Sequence, residues 1–113
     1  MKNKVVIITG ASSGIGKACA LIFARTGAQI VLAARNLKKL SLVCEELKEQ
    51  GFNAFVVQAD VSKEEDCQRL ISETVTKFKV IDVLINNAGI SMRATLDQAE
   101  VSVIRQLMEI NFF

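Results

Sequence analysis

Short apolar runs rich in β-branched residues alternate along this chain with longer segments of helical period. The runs are Val5 to Thr9, Gln29 to Ala33, Ala54 to Gln58 and Val83 to Asn86. Because each run is almost continuously apolar, it is typical of a strand that is buried on both faces of a parallel sheet. Strands that alternate with helices predict an α/β fold, here a doubly wound Rossmann-type sheet. Right-handed crossovers give it the strand order 3-2-1-4.

Residues at the ends of the helical segments indicate where the helices start and stop. Gly27 and Gly51 stand where the residue after a helix adopts a positive φ. Asn36 is expected to cap the second helix, and Ser62 with Glu65 to form a capping box on the third. Apolar residues at spacings of three and four predict the face of the second helix that covers the sheet: Leu40, Val43 and Leu47.

A last helical segment is predicted from Ala99 to the end of the chain. Its apolar stripe consists of Val101, Ile104, Met108 and Phe112. We expect the fourth strand to be an exposed sheet edge and this stripe to lack partners, so the isolated chain should associate with itself. These features suggest the N-terminal half of a protein about twice as long.

Length and composition limit the classes of function. The 113 residues predict a single domain, residues 1–113, with one core. A net charge of +2 without a basic cluster argues against nucleic acid, and no apolar run is long enough for a membrane span. The short N-terminal apolar run is not a secretory signal, so we expect a cytoplasmic protein. Three widely spaced cysteines and the lack of histidine predict no metal site.

The segment Thr9 to Gly16 joins the first strand directly to a helix. Gly10 permits a sharp exit from the strand, Gly14 lets the backbone approach a diphosphate, and Gly16 lets the helix pack closely on the strand. Free amides and the positive end of the helix dipole then face the anion. The spacing GxxxGxG is not that of a P-loop. The alternative is a glycine-rich turn without a ligand. The predicted binding residues of the turn are Gly10, Ser12, Ser13, Gly14, Ile15 and Gly16.

Three motifs together resemble the short-chain dehydrogenase/reductase family: TGASSGIG, Asp60 after the third strand, and the segment Asn86 to Gly89 after the fourth. The resemblance covers the chain from Lys4 onward and implies that it binds a nicotinamide dinucleotide. It implies that Asp60 accepts a hydrogen bond from the adenine amino group and that Val61 lines the adenine ring. The positions that the resemblance places near the ribose are Asn87, Ala88 and Gly89. Asn86 is interpreted as structural.

The end of the second strand predicts which dinucleotide is bound. Ala34 stands where family members that use NAD typically carry Asp, and Arg35 follows with a guanidinium suited to a phosphate. Ser12 or Ser13 could add a hydroxyl to the same phosphate. The prediction is NADP(H), with a solvated Arg35 as the alternative.

The resemblance implies hydride transfer between the nicotinamide and a small carbonyl or alcohol substrate, in a homo-oligomer such as a dimer or tetramer. The chain contains no tyrosine, the family's acid/base, so alone it is expected to be inactive. Asn111, predicted on the last helix, matches the asparagine of the catalytic set. The alternative from another class is a noncatalytic dinucleotide-binding module. Arg35 argues against a methyltransferase, and the glycine spacing argues against a sugar-nucleotide epimerase.

Overall fold

The computed structural model describes residues 2–87 and the backbone of residues 109–111. In these residues five parallel strands form one sheet in the order β3-β2-β1-β4-β5, and three helices connect the first four strands. The elements are β1 Val5–Thr9, α1 Gly14–Arg25, β2 Gln29–Ala34, α2 Leu37–Glu49, β3 Ala54–Gln58, α3 Glu64–Phe78, β4 Val83–Asn86 and β5 Glu109–Asn111. The predicted α/β fold and the predicted order of the first four strands are confirmed.

The strand order changes direction between β1 and β4. The chain moves outward from β1 to β2 and β3, then returns across the sheet to β4. Right-handed crossovers in opposite directions put their helices on opposite faces, so α1 and α2 cover one face and α3 the other. The connections that leave the carboxyl ends of β1 and β4 therefore run to opposite faces of the sheet and open a crevice there, which is where ligands bind in sheets of this kind.

Successive strand residues point to opposite faces of the sheet, and each face has its own apolar core. Ile8 and Leu32 pack under α1 and α2, against a cluster that includes Leu40 and Leu47. The opposite cluster, under α3, contains these buried residues from the strands and the helix: Ile7, Val31, Val57, Leu70 and Ile71. No helix in the described part of the chain has both the length and the apolar character needed to cross a membrane.

The predicted helix ends are correct in three of four places. Gly27 and Gly51 have φ of 89° and 88°, and the Asn36 side chain accepts a hydrogen bond from the Lys39 amide at 3.0 Å. The capping box on α3 is wrong. This helix begins at Glu64, and its cap residue, Lys63, makes no side-chain capping bond.

The reason lies in the turn before α3. The Ser62 hydroxyl donates to Asp60 Oδ1 at 2.6 Å, and the Ser62 amide donates to the same oxygen at 3.0 Å. Ser62 is therefore held by the aspartate that precedes it and does not reach the helix amides. Such local bonds between a turn aspartate and the second residue after it compete with capping.

The structure of residues 109–111 contradicts two predictions. Glu109–Asn111 is a strand, β5, and not the end of a helix. It pairs with β4 in parallel, with Asn111 beside Asn86, so β4 is not an exposed edge along this stretch. Strand pairing satisfies the outer backbone groups of β4, a long-range benefit that the helical spacing of apolar residues does not reveal. The rest of the predicted apolar stripe lies outside the described residues.

Candidate functional site

A cleft of about 510 Å³ opens at the carboxyl ends of the strands, at the place where the strand order reverses. Four connections converge on it: the turns after β1 and β2, and the segments after β3 and β4. Its lining residues are Gly10, Ser12, Ser13, Ala34, Arg35, Asn36, Lys39, Ala59, Asp60, Val61, Ser62 and Asn87. The structure thus brings together residues that are up to 77 positions apart in the sequence, such as Gly10 and Asn87.

Most of the predicted binding residues that the structure describes lie in this cleft. Those present are Gly10, Ser12, Ser13, Arg35, Asp60, Val61 and Asn87. Gly14, Ile15 and Gly16 do not line it, since they begin α1 just beyond the turn. Ala88 and Gly89 lie outside the described residues.

The turn after β1 is shaped by one glycine and one serine. Gly10 has φ of 61°, which a residue with a side chain rarely adopts, and it turns the chain sharply out of the strand. Ser13 caps α1, and its Oγ accepts a hydrogen bond from the Gly16 amide at 3.1 Å. Among the described residues, the amides of Ser12, Gly14 and Ile15 find no acceptor in the protein. Three unused N–H donors at the positive end of a helix dipole form an anion site.

Gly16 allows α1 to lie against the strand that precedes it. A Cβ atom at this position would lie 2.5 Å from the Gly10 carbonyl oxygen and 2.8 Å from Ala11 Cα. Both contacts are to backbone, which cannot move aside as a flexible side chain can. A Cβ atom on Gly14 would meet nothing within 4 Å. Close packing therefore requires glycine at 16, whereas the protein itself leaves room for a side chain at 14.

Asn87 connects the turn to the far side of the cleft. Its Nδ2 donates to the Gly10 carbonyl oxygen at 3.1 Å and to Ser13 Oγ at 2.6 Å. Below it, the buried Thr9 hydroxyl donates to Asn86 Oδ1 at 3.0 Å and joins the ends of β1 and β4. Asn86 is completely buried, which agrees with a structural role. Sequence reasoning placed Asn87 near the cofactor but missed that it holds the turn in shape.

The end of β2 carries positive charge and no carboxylate. Ala34 is buried, and the chain then leaves the sheet at Arg35, whose side chain is exposed at the cleft. Lys39, in the first turn of α2, lines the same cleft. Sequence reasoning did not single out Lys39, although a second basic residue in the first turn of the helix that follows Arg35 was a usable signal.

Asp60 presents a carboxylate from the end of β3. The Ser62 hydroxyl, followed by the Ser62 amide, holds the pKa of the Asp60 carboxyl below its ordinary value, and Arg35 and Lys63 add smaller charge effects. Both bonds from Ser62 end on Oδ1. Within the described residues no donor reaches Oδ2, so this atom can accept a hydrogen bond from a ligand. Val61, which follows, is 7% exposed.

Asn111 does not lie on a helix as predicted. It ends β5, in register with Asn86, which in turn lies beside Thr9. Because these three strands are parallel, the backbone of Asn111 is at the same edge of the sheet as the cleft.

Comparison with known proteins identifies the family. The sequence profile described as short chain dehydrogenase matches residues 4–113. The chain belongs to the short-chain dehydrogenase family. The predicted resemblance is therefore confirmed, and the cleft occupies the switch point of a short-chain dehydrogenase sheet.

Relatives of this short-chain dehydrogenase chain are longer than it is. The 11-beta-hydroxysteroid dehydrogenase A of Sesamum indicum is 46% identical in an alignment of 113 positions that covers 98% of this chain and 32% of that protein. The solved L-sorbose reductase of Gluconobacter frateurii, complexed with NADPH and L-sorbose, is 41% identical with a TM-score of 0.74. The match covers 79% of this chain and 34% of the reductase chain. The 3-ketoacyl-(acyl-carrier-protein) reductase of Brucella melitensis, complexed with NADH, is 39% identical with a TM-score of 0.70. This match covers 79% of this chain and 35% of that reductase chain. The chain thus spans about a third of the length of these three relatives.

Replacement of Gly16 by alanine tests the close packing of α1. We expect Gly16→Ala to lower the free energy of unfolding by about 1–3 kcal/mol, because the new methyl group overlaps backbone that must shift. Gly14→Ala is the matched control. It should leave the free energy of unfolding unchanged or raise it slightly, since alanine favours a helix. Urea unfolding followed by circular dichroism measures both. Equal losses in the two variants would contradict the packing argument.

The low pKa of Asp60 gives a second prediction. Because folding lowers this pKa, the stabilisation is present above the unfolded pKa and is lost as the pH falls through the folded one. In Ser62→Ala the pKa of Asp60 should rise toward its ordinary value, since the strongest hydrogen bond to the carboxylate is gone. Carboxyl carbon NMR during a pH titration measures the change. Ser72→Ala, an exposed serine on α3, should leave the pKa where it is. An unaltered pKa in Ser62→Ala would refute the assignment.

Proposed function

We propose that this chain is the cofactor-binding part of an NADP(H)-dependent oxidoreductase. It would transfer a hydride between the nicotinamide ring and a small carbonyl or alcohol substrate. Membership of the short-chain dehydrogenase family supports the reaction class. The geometry of the cleft supports the cofactor, whose parts can be matched one by one to groups of the protein.

The diphosphate would lie against the turn after β1. The unused amides of Ser12, Gly14 and Ile15 supply hydrogen-bond donors, and the helix dipole of α1 adds a favourable field. Ser13 Oγ already accepts two hydrogen bonds, from Gly16 and Asn87, so its own hydrogen is left to donate. These groups suit an anion of two phosphates without any charged side chain in the turn.

The choice of NADP(H) over NAD(H) rests on the end of β2, and this single observation carries the proposal. The sequence Ala34-Arg35-Asn36 offers no carboxylate to ribose hydroxyls, and Arg35 and Lys39 line the same cleft. The 2′-phosphate of NADP(H) would meet two cations there, whereas NAD(H) carries no 2′-phosphate for them to bind. Solved relatives include proteins complexed with NADPH and with NADH, so the family alone favours neither.

The adenine ring would lie beside the end of β3. Asp60 Oδ2 can accept a hydrogen bond from the adenine amino group, and the exposed part of Val61 can contact the ring. Asn87 would act at the other end of the cleft, where it holds the turn. In this arrangement Asp60 and Arg35 orient the adenosine, and the turn amides bind the diphosphate.

When bound, the cofactor would supply or accept the hydride, and the chain would hold it in place. The 113 residues contain no tyrosine, so the phenol that would exchange the proton with substrate is not among them. Asn111 is the one residue proposed for the catalytic set. Its place at the end of β5, two strands from Thr9, puts its backbone at the edge of the sheet where the reaction would occur.

Removal of the Arg35 guanidinium tests the cofactor preference. We expect Arg35→Ala to raise the Kd of NADPH about 10- to 100-fold, the value of one charged hydrogen-bonded contact, with the Kd of NADH unchanged. Nucleotide fluorescence measures both constants in the protein at its full natural length. Arg25→Ala, at the other end of α1, should change neither. A wild-type protein that binds NADH more tightly than NADPH would contradict the proposal.

A turnover assay with a panel of carbonyl compounds separates the proposed enzyme from the noncatalytic module. The enzyme should oxidise NADPH in the presence of at least one compound. Tight binding of NADPH without turnover on any member of a broad panel would favour a nucleotide-binding module.

A further inference from the structure

The two residues proposed to recognise the adenosine end of the cofactor, Arg35 and Asp60, lie where backbone pairing stops. The last backbone bond between the two segments runs from the Ala59 amide to the Ala34 carbonyl oxygen, at 3.0 Å. In the described residues β3 is the edge of the sheet, so no further strand holds the chain beyond Gln58. Other groups must fix these two residues if they are to bind a ligand in one geometry.

Asp66 holds the backbone of Asp60. Its Oδ2 accepts a hydrogen bond from the Asp60 amide at 2.8 Å, from the first turn of α3. A carboxylate that accepts from an amide makes a stronger bond than a neutral acceptor does. The same helix carries Arg69, which donates to the Gln58 carbonyl oxygen and lies 3.9 Å from Asp66 Oδ1. Two side chains of α3 therefore fasten the end of β3.

Gln58 holds the backbone of Arg35. Its Nε2 reaches across from β3 and donates to the Arg35 carbonyl oxygen at 3.0 Å. This side-chain bond lies beyond the last backbone bond between the two segments and ties the residue that follows β2 to the neighbouring strand. The position of Arg35, and hence the origin of its long side chain, depends on an exposed glutamine of the neighbouring strand.

Neither of these side chains lines the large cleft, although both reach residues that do. With Arg35, Asp60 and Arg69 they line a second, smaller cleft of about 250 Å³. We propose that Gln58 and Asp66 are positioning residues for the adenosine end of the cofactor. Gln58 fixes Arg35 for the 2′-phosphate, and Asp66 fixes Asp60 for the adenine. This inference rests on the proposed function.

The two residues should differ in their effect on the two cofactors. Arg35 would contact only the 2′-phosphate, which NADH lacks, so loss of the Gln58 bond should affect NADPH alone. Asp60 would contact the adenine, which both nucleotides carry, so loss of the Asp66 bond should affect both. A general loss of stability would not produce this pattern.

Gln58→Met tests the first half, because methionine keeps the size of the side chain and removes the donor. We expect the Kd of NADPH to rise about three- to ten-fold, the value of one neutral hydrogen bond, while the Kd of NADH stays constant. Gln50→Met, at the end of α2 away from the cleft, is the matched control and should change neither constant. Both are measured on the protein at its full natural length.

Asp66→Ala and Asp66→Asn test the second half. Asp66→Ala should raise the Kd of both nucleotides about ten-fold, whereas Asp66→Asn retains an acceptor oxygen and should restore most of the affinity. Glu65→Ala removes another acid from the first turn of α3 and controls for the charge at the helix end. Thermal unfolding of each variant shows whether the fold is intact, and Gln58→Met decides the inference if Asp66→Ala does not fold.

The outcomes distinguish this inference from the function on which it rests. If the wild-type protein does not bind NADPH, the proposed function fails. If it binds NADPH, and Gln58→Met weakens both nucleotides equally or neither, the positioning role of Gln58 is overturned. If Asp66→Asn is as weak as Asp66→Ala, or Asp66→Ala binds like the wild type, the role of Asp66 is overturned.

Discussion

The close approach of α1 to the end of β1 is the contact on which the site depends. Gly16 lies against the backbone of Gly10 and Ala11, with no space for a methyl group. This contact aims the first amides of α1 at the crevice between β1 and β4. Asn87 then holds the turn from the opposite side through Gly10 and Ser13. The anion site is therefore a consequence of packing, because its donors are backbone groups that the fold leaves unused.

The adenosine side of the cleft is built differently. Its proposed contacts are side chains, Arg35 and Asp60, that leave the sheet where strand pairing ends. The lowered pKa of Asp60 there reflects mainly its bonds to Ser62. On the proposed diphosphate side the donors are placed by backbone packing. On the proposed adenosine side, Gln58 and Asp66 hold the backbones of Arg35 and Asp60 from outside the cleft. Substitutions that change cofactor preference are thus expected on the adenosine side and not on the diphosphate side.

Most of the fold could be predicted because its signals are local. The β-branched runs gave three of the four strands with the observed bounds and the second one residue short, and Gly27 and Gly51 mark real helix ends. The errors arose where a distant or competing partner decides the structure. Ser62 bonds to Asp60 instead of capping α3, and Glu109–Asn111 pairs with β4 instead of continuing a helix. In the site, the glycine turn and Arg35 could be recognised from the sequence. The hydrogen bonds made by Asn87, Gln58 and Asp66 depend on tertiary contacts, which the spacing of residues in the sequence does not reveal.

A crystal structure of the protein at its full natural length with NADP⁺ bound would test the central claim most directly. The diphosphate oxygens should lie within hydrogen-bond distance, about 2.7–3.2 Å, of the amides of Ser12, Gly14 and Ile15. The 2′-phosphate should lie beside Arg35. A nucleotide whose diphosphate is bound elsewhere, with these three amides facing only water, would contradict the account.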